Sequence, residues 1–219
     1  MLLGISNAIV DVLSHVDDDL LDRIGAPRGS MTLIDEARAH EIYDMMGPTT
    51  EMSGGSVANT IAGFTNLGGN ASYIGRVADD QLGEIFVQDM RSLGVDVRLE
   101  PAPANAPTAR CHVLISNDGQ RTMQTYLGAC TELSVTDVTE QAVGHADIIL
   151  LEGYIWDLTE GPAVAQRAIS IAKQNGAKVA LSLSDSFCVN RHRDAFHAVV
   201  LDGVDIVVAD EDEVNALLR

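Results

Sequence analysis

The sequence predicts an α/β fold, a mostly parallel sheet with helices on both faces, on three observations. Short apolar runs at residues 2–5, 71–77, 147–152, 178–183 and 205–209 read as buried strands. Segments with helical spacing stand between them, after residue 56, after residue 80 and across 161–174, and strands that alternate with helices pair in parallel. One antiparallel piece interrupts the pattern, a hairpin over 109–127 that turns at Asn117-Asp118-Gly119-Gln120.

The totals fit this reading. A chain of 219 residues, 46% hydrophobic, buries a core without staples. Lys plus Arg number 14 against 32 Asp plus Glu, a formal net charge of −18. That balance argues against nucleic acid and anionic membranes as partners. It leaves phosphate compounds open, because backbone amides and Mg²⁺ hold those. Cys111, Cys130 and Cys188 are few, odd in number and widely spaced, which fits a reducing cytoplasm and gives neither a disulfide framework nor a zinc pattern. No apolar run is long enough to span a membrane, and Met1-Leu2-Leu3 lacks the basic start and apolar length of a secretory leader.

In order along the chain, residues 2–5 form a first strand that leads to Asn7 and Asp11. These are polar groups beside a strand that should be buried, so they need partners. They are a turn Asn with a local cap, or a pair holding vicinal hydroxyls, Asp11 accepting and Asn7 donating. Residues 29–34 read as a strand, and Asp35 caps a helix to about Met46 that stops at Gly47-Pro48. Gly54-Gly55 is a bare turn that a ligand can approach, and Ser56 is placed to cap the next helix. Val57, Ile61 and Phe64 mark that helix's inner face, Asn59 lies on its first turn, and Gly68-Gly69 closes it.

Asp79-Asp80 reads as an acidic helix start rather than a metal pair, with Ile85, Phe86, Met90 and Leu93 turned inward. Arg121 follows the hairpin turn, where a lone Arg is ordinarily solvated. Ser184-Asp185-Ser186-Phe187 stands at the carboxyl end of a strand, where open α/β sheets bind ligands. Phe187 there is a core residue at a corner or a platform for a base. His192 and His197, five apart, do not share a helix face as a metal pair would. Asp210 and Glu213 read as a capping box on the last helix.

Gly54-Gly55-Ser56-Val57-Ala58-Asn59-Thr60 resembles the first signature of the ribokinase-like (PfkB) family of sugar and nucleoside kinases. The resemblance implies a three-layer α/β/α, Rossmann-like fold in a single domain over residues 1–219, with strands at about 11–34 and 108–127 forming a small β lid. It implies that Asn7 and Asp11 bind sugar or ribose hydroxyls, with Ser6 where the family usually has Gly, and that Gly54, Gly55 and Asn59 complete that site. Arg121 resembles the Arg that neutralises the transferring phosphoryl group in the adenosine kinase branch. Residues 181–187 resemble the same branch, which implies that Phe187 packs on the base. Asp210 and Glu213 fall where the family carries Asn-x-x-Glu, which orders the Mg²⁺ and phosphate water shell. They would serve an indirect Mg²⁺ site, with Asp replacing Asn.

The implied reaction is transfer of the γ-phosphoryl group of ATP, with Mg²⁺, to a ribose hydroxyl, adenosine being the foremost substrate. The alternatives are a sugar kinase of ribokinase or fructokinase type and a non-catalytic nucleoside-binding protein. The partner is a small nucleoside or sugar. The family's second signature, Asp-Thr-x-Gly-Ala-Gly-Asp, which carries the anion hole and the catalytic base, does not occur in these 219 residues. The expectation is a truncated fold lacking its C-terminal part, doubtful catalysis by this chain alone, and self-association or homo-oligomerisation through an uncovered sheet edge. A nicotinamide-dependent oxidoreductase is disfavoured, because no Gly-x-Gly-x-x-Gly turn follows the first strand.

Overall fold

Two sheets built from alternating segments make up the computed structural model, which describes residues 1–99, 101 and 104–219. The strands are β1 (Leu2–Ile5), β2 (Ile9–His15), β3 (Met31–Leu33), β4 (Thr50–Gly54), β5 (Ala71–Ile74), β6 (Asp96–Val97), β7 (Ala109–Ile115), β8 (Arg121–Tyr126), β9 (Ile148–Glu152), β10 (Lys178–Ser182) and β11 (Ile206–Val208). The helices are α1 (Asp18–Ile24), α2 (Glu36–Met45), α3 (Ser56–Asn66), α4 (Gln81–Ser92), α5 (Glu140–Val143), α6 (Gly161–Asn175), α7 (Ser186–Asp202) and α8 (Glu211–Leu218).

The main sheet has the order β11-β10-β9-β1-β5-β6, and every pairing in it is parallel. Its central strands are apolar without interruption because both faces are covered. Leu3, Ile5, Ile149, Leu151, Val179 and Leu181 point to a core shared with α6 and α7. On the other face Ala71, Tyr73, Leu150 and Ala180 meet Val57 and Ile61 of α3 and Phe86 and Met90 of α4. Gly4 lets α3 lie close on β1, since a Cβ there would stand 2.6 Å from the Ile61 side chain. Among the described residues no helix is long and apolar enough to cross a membrane.

The second sheet has the order β3-β8-β7-β2-β4. β7 and β8 form the expected antiparallel hairpin, while β2 runs parallel to β7 and antiparallel to β4. Side chains alternate between its faces. Val10 and Val12 join the core under α4, and Leu114 meets Leu20, Leu21, Ile24 and Ile42 of α1 and α2. The alternate residues face a cavity.

Several local expectations are corrected. Ser56 does not cap α3: Gly55 occupies that place, and no side chain of its own caps the helix. Phe64 and Leu93 are 40% and 37% exposed rather than inward. Phe64 instead lies over Gly69, where a Cβ would come within 2.2 Å of its ring, and Leu93 falls just past the end of α4. The strand β4 and the helix α1 carry no expectation in the sequence reading. Asp80 caps α4 as expected, accepting from the Gly83 N–H at 2.8 Å, and also binds Thr108.

Candidate active site

A cavity of about 310 Å³ lies between the second sheet and the carboxyl ends of β1 and β9. Ile9, Asp11, Leu13, Met31, Leu33, Cys111, Val113, Arg121, Met123 and Thr125 line it from the sheet, alternate residues of β2, β3, β7 and β8. From the other side come Asn7, Gly55, Ser56, Asn59, Tyr154, Asp157 and Arg191. The wall is mostly apolar; Asn7, Asp11, Ser56 and Asn59 gather where β1, β2 and the start of α3 meet, while Arg121, Thr125, Asp157 and Arg191 stand elsewhere on the wall.

Asn7 is 3% exposed, and its Oδ1 is buried without a hydrogen-bond partner. A buried acceptor left open beside a cavity is the mark of a group that a ligand completes. Asp11 stands nearby on β2. Burial pushes its carboxyl up to about 6, and the Arg121 guanidinium across the cavity holds it from rising further. The two glycines act differently. A Cβ on Gly54, the last residue of β4, would fall 2.3–2.5 Å from the atoms of the Asp11 carboxyl group, so Gly54 makes room for that group. Gly55 has φ +98 and would bring a Cβ within 2.9 Å of the Asn7 carbonyl oxygen, so glycine is required there by both backbone and neighbour.

Asn59 is exposed one turn into α3 and lines the cavity, as does Arg121 at the start of β8. The structure thus brings together Asn7, Asp11, Gly55, Asn59 and Arg121, with Gly54 behind Asp11. It does not bring Phe187, Asp210 or Glu213 to the cavity. Phe187 is 74% exposed on the first turn of α7, where Cys188 and Val189 take the buried face. The aromatic residue in the lining is Tyr154, whose hydroxyl donates to Asp185 at 2.5 Å while Asp185 caps α7 through the Cys188 N–H. The Gly153-Tyr154 step after a buried strand is the signal that could have found it.

Asp157 and Arg191 also escaped the sequence reading. Asp157 accepts two hydrogen bonds from Arg191, at 3.0 and 2.7 Å, and a third contact from His192 at 2.6 Å. Cys188 lies close to Asp157 and His192, and the three offer ligand atoms within 4.8 Å of one another. They make an ion-pair cluster rather than a metal centre. The Arg191 cation already occupies Asp157, and burial pushes the Cys188 thiol up to about 12. Asp210 and Glu213 form a complete capping box: Glu213 N–H donates to Asp210 at 2.8 Å and Asp210 N–H to Glu213 at 3.1 Å. Each carboxylate already accepts a backbone N–H, so the pair fits at most the indirect, water-mediated contact with Mg²⁺ that the resemblance implied.

The family model described as pfkB family carbohydrate kinase matches residues 32–219. The chain belongs to the pfkB family of carbohydrate kinases. Among curated relatives it is 24% identical to guanosine-inosine kinase of Escherichia coli K12, over 99% of this chain and 52% of the relative. It is 25% identical to adenosine kinase 2 of Arabidopsis thaliana, over 100% of this chain and 65% of that one. The chain spans about half the length of the first of these. Among solved structures, adenosine kinase from Sinorhizobium meliloti superposes with a TM-score of 0.92 at 45% identity, covering 99% of this chain and 67% of that one. A probable sugar kinase from Rhizobium etli gives 0.92 at 44%, covering 99% and 66%. The pfkB membership agrees with the ribokinase-like α/β fold read from the glycine signature.

Proposed function

We propose that this chain forms the substrate-binding part of an ATP-dependent nucleoside kinase, with adenosine the first substrate to try. The observation that carries the reading is the composition of the cavity. A cluster of polar groups suited to hydroxyls, Asn7, Asp11, Gly55 and Asn59, adjoins a broad apolar wall from Ile9, Leu13, Met31, Leu33, Val113 and Met123. A bare sugar offers that wall nothing to cover, whereas a purine does. The second sheet then serves as the lid of a single unit, excluding water so that the phosphoryl group passes to the sugar rather than to solvent.

In this reading Asp11 accepts from ribose hydroxyls, Asn7 and Asn59 fix their orientation, and Arg121 offers its planar donors to phosphoryl oxygens. Tyr154, rather than Phe187, is the aromatic residue placed against the base. ATP and Mg²⁺ would supply the phosphoryl group and its charge neutralisation. This chain's residues position the acceptor.

The test is calorimetric titration of the 219-residue polypeptide with adenosine and with ribose. Adenosine should bind at least tenfold more tightly than ribose, and Asp11→Ala should abolish binding of both. Equal affinities would favour a sugar kinase, and unchanged affinity in Asp11→Ala would sink the site assignment.

A further inference from the structure

Glu152 ends β9 at 1% exposure and takes no part in the cavity lining described above. Its Oε2 accepts the Asn7 N–H at 3.0 Å and its Oε1 the Val57 N–H at 3.4 Å, and the Ser56 N–H adds a third donor. Among the described residues no cation acts on it. Backbone N–H dipoles and the amino end of α3 hold the carboxylate in the interior. It also supplies the acceptor that α3 lacks from its own cap.

The segments it joins are those that carry the polar end of the cavity. Asn7 belongs to the turn between β1 and β2, and Ser56 and Val57 open α3 between Gly55 and Asn59. The two segments touch at Gly55, under the Asn7 carbonyl. We propose that Glu152 is a positioning residue for the acceptor site: its carboxylate ties the Asn7 turn to the first turn of α3 and so sets where Asn7, Gly55 and Asn59 meet a ligand. This rests on the reading of the cavity as a nucleoside site.

The tie depends on charge. As a carboxylate both oxygens accept with full charge, and a proton on either one removes that charge and one of its acceptor sites, which weakens the N–H bonds it accepts. The groups that face Glu152 are Tyr73 of β5, Cys130 of the turn Gly128–Glu132, Tyr154 of its own segment and Cys188 of α7. Burial raises all four, so they stay neutral around pH 7. Burial pushes Glu152 itself up to about 7, against the pull of its N–H donors. The tie therefore loosens as pH falls through neutrality, a step separate from that of Asp11 near 6.

The experiment has two arms on the 219-residue polypeptide. The first follows the amide ¹H–¹⁵N resonances of Asn7, Ser56 and Val57 from pH 5.5 to 8.5. They should move together with a midpoint near 7. The second measures adenosine affinity over the same range in the wild type and in Glu152→Gln. The variant should lose about tenfold in affinity at pH 8, the scale of one charge-assisted hydrogen bond. It should also lack the step near 7 while keeping the one near 6. Normal adenosine binding with immobile amides, or a Glu152→Gln profile that matches wild type, would overturn the role of Glu152 alone. Should Glu152→Gln fail to fold, the wild-type amides decide. Titrating amides in a chain that binds neither adenosine nor ribose would overturn the reading of the cavity and leave the tie between the segments standing.

Discussion

Gly54 and Gly55 are adjacent, yet the structure asks different things of them, and substitution should separate the two. Gly54→Ala places a methyl group on the Asp11 carboxylate, which must move. Its main effect should be a loss of adenosine affinity of tenfold or more, with a small change in the denaturation midpoint. Gly55→Ala forces a side chain into positive φ and against a backbone carbonyl, at a cost of about 1–3 kcal/mol. It should lower stability and affinity together. Urea denaturation paired with calorimetry distinguishes them, and identical behaviour would show that Gly54 does not serve Asp11. At this scale the sequence was informative where a residue type was out of place. Asn7 and Asp11 beside a buried strand, and two glycines before a helix, announced themselves. Phe187 misled because a strand-to-helix corner does not say which way its first turn faces, and Ser184, at φ 75, redirects that corner. Glu152 was invisible because one acidic residue at the end of an apolar strand reads as the place where the strand meets water.

At the scale of elements, β7 shows how a strand divides its residues between two environments. Cys111 and Val113 face the cavity, while His112 between them is 0% exposed beneath α2, 6.0 Å from the Tyr43 ring. Neither ring nitrogen makes a hydrogen bond of ordinary geometry, and the Ala39 backbone interacts with the ring more weakly. Burial, then the Arg110 cation, lowers His112 to about 4. The unfolded chain binds that proton near 6.5 and the folded chain only near 4, so stability falls as pH drops across that window. The loss at pH 5 is about 2 kcal/mol for this group. His112→Leu should remove that part of the acid sensitivity, read as the difference between melts at pH 7.5 and pH 5. An unchanged difference would place the sensitivity elsewhere. The hairpin that carries His112 was legible from Asp118-Gly119. The strand β4 was not, because Thr50-Glu51-Met52-Ser53-Gly54 has no apolar run, and only its pairing with β2 makes it a strand. The helix α1 is seven residues long, too short for its period to stand out.

For the whole molecule, the parallel order of the main sheet followed from the alternation of strands and helices, but its edges did not. One edge is β6, two residues long and so protected by shortness. The other is β11, where Ile206, Val207 and Val208 are 40%, 41% and 54% exposed. Leu201 and Leu218, 81% and 72% exposed, add apolar surface on the helices before and after it. The 219-residue polypeptide is therefore expected to self-associate through this edge. Val207→Lys should shift it toward monomer in light scattering at equal concentration, and an unaltered mass would move the contact away from β11.

The chain passes between the two sheets four times, from β1 to β2, from β4 to β5, from β6 to β7 and from β8 to β9, and the first two of these crossings, at Asn7 and at Gly55, line the cavity. Those two crossings lie side by side, with the Gly55 backbone against the Asn7 carbonyl. A molecule gripped by both residues would pin the two sheets together at that seam.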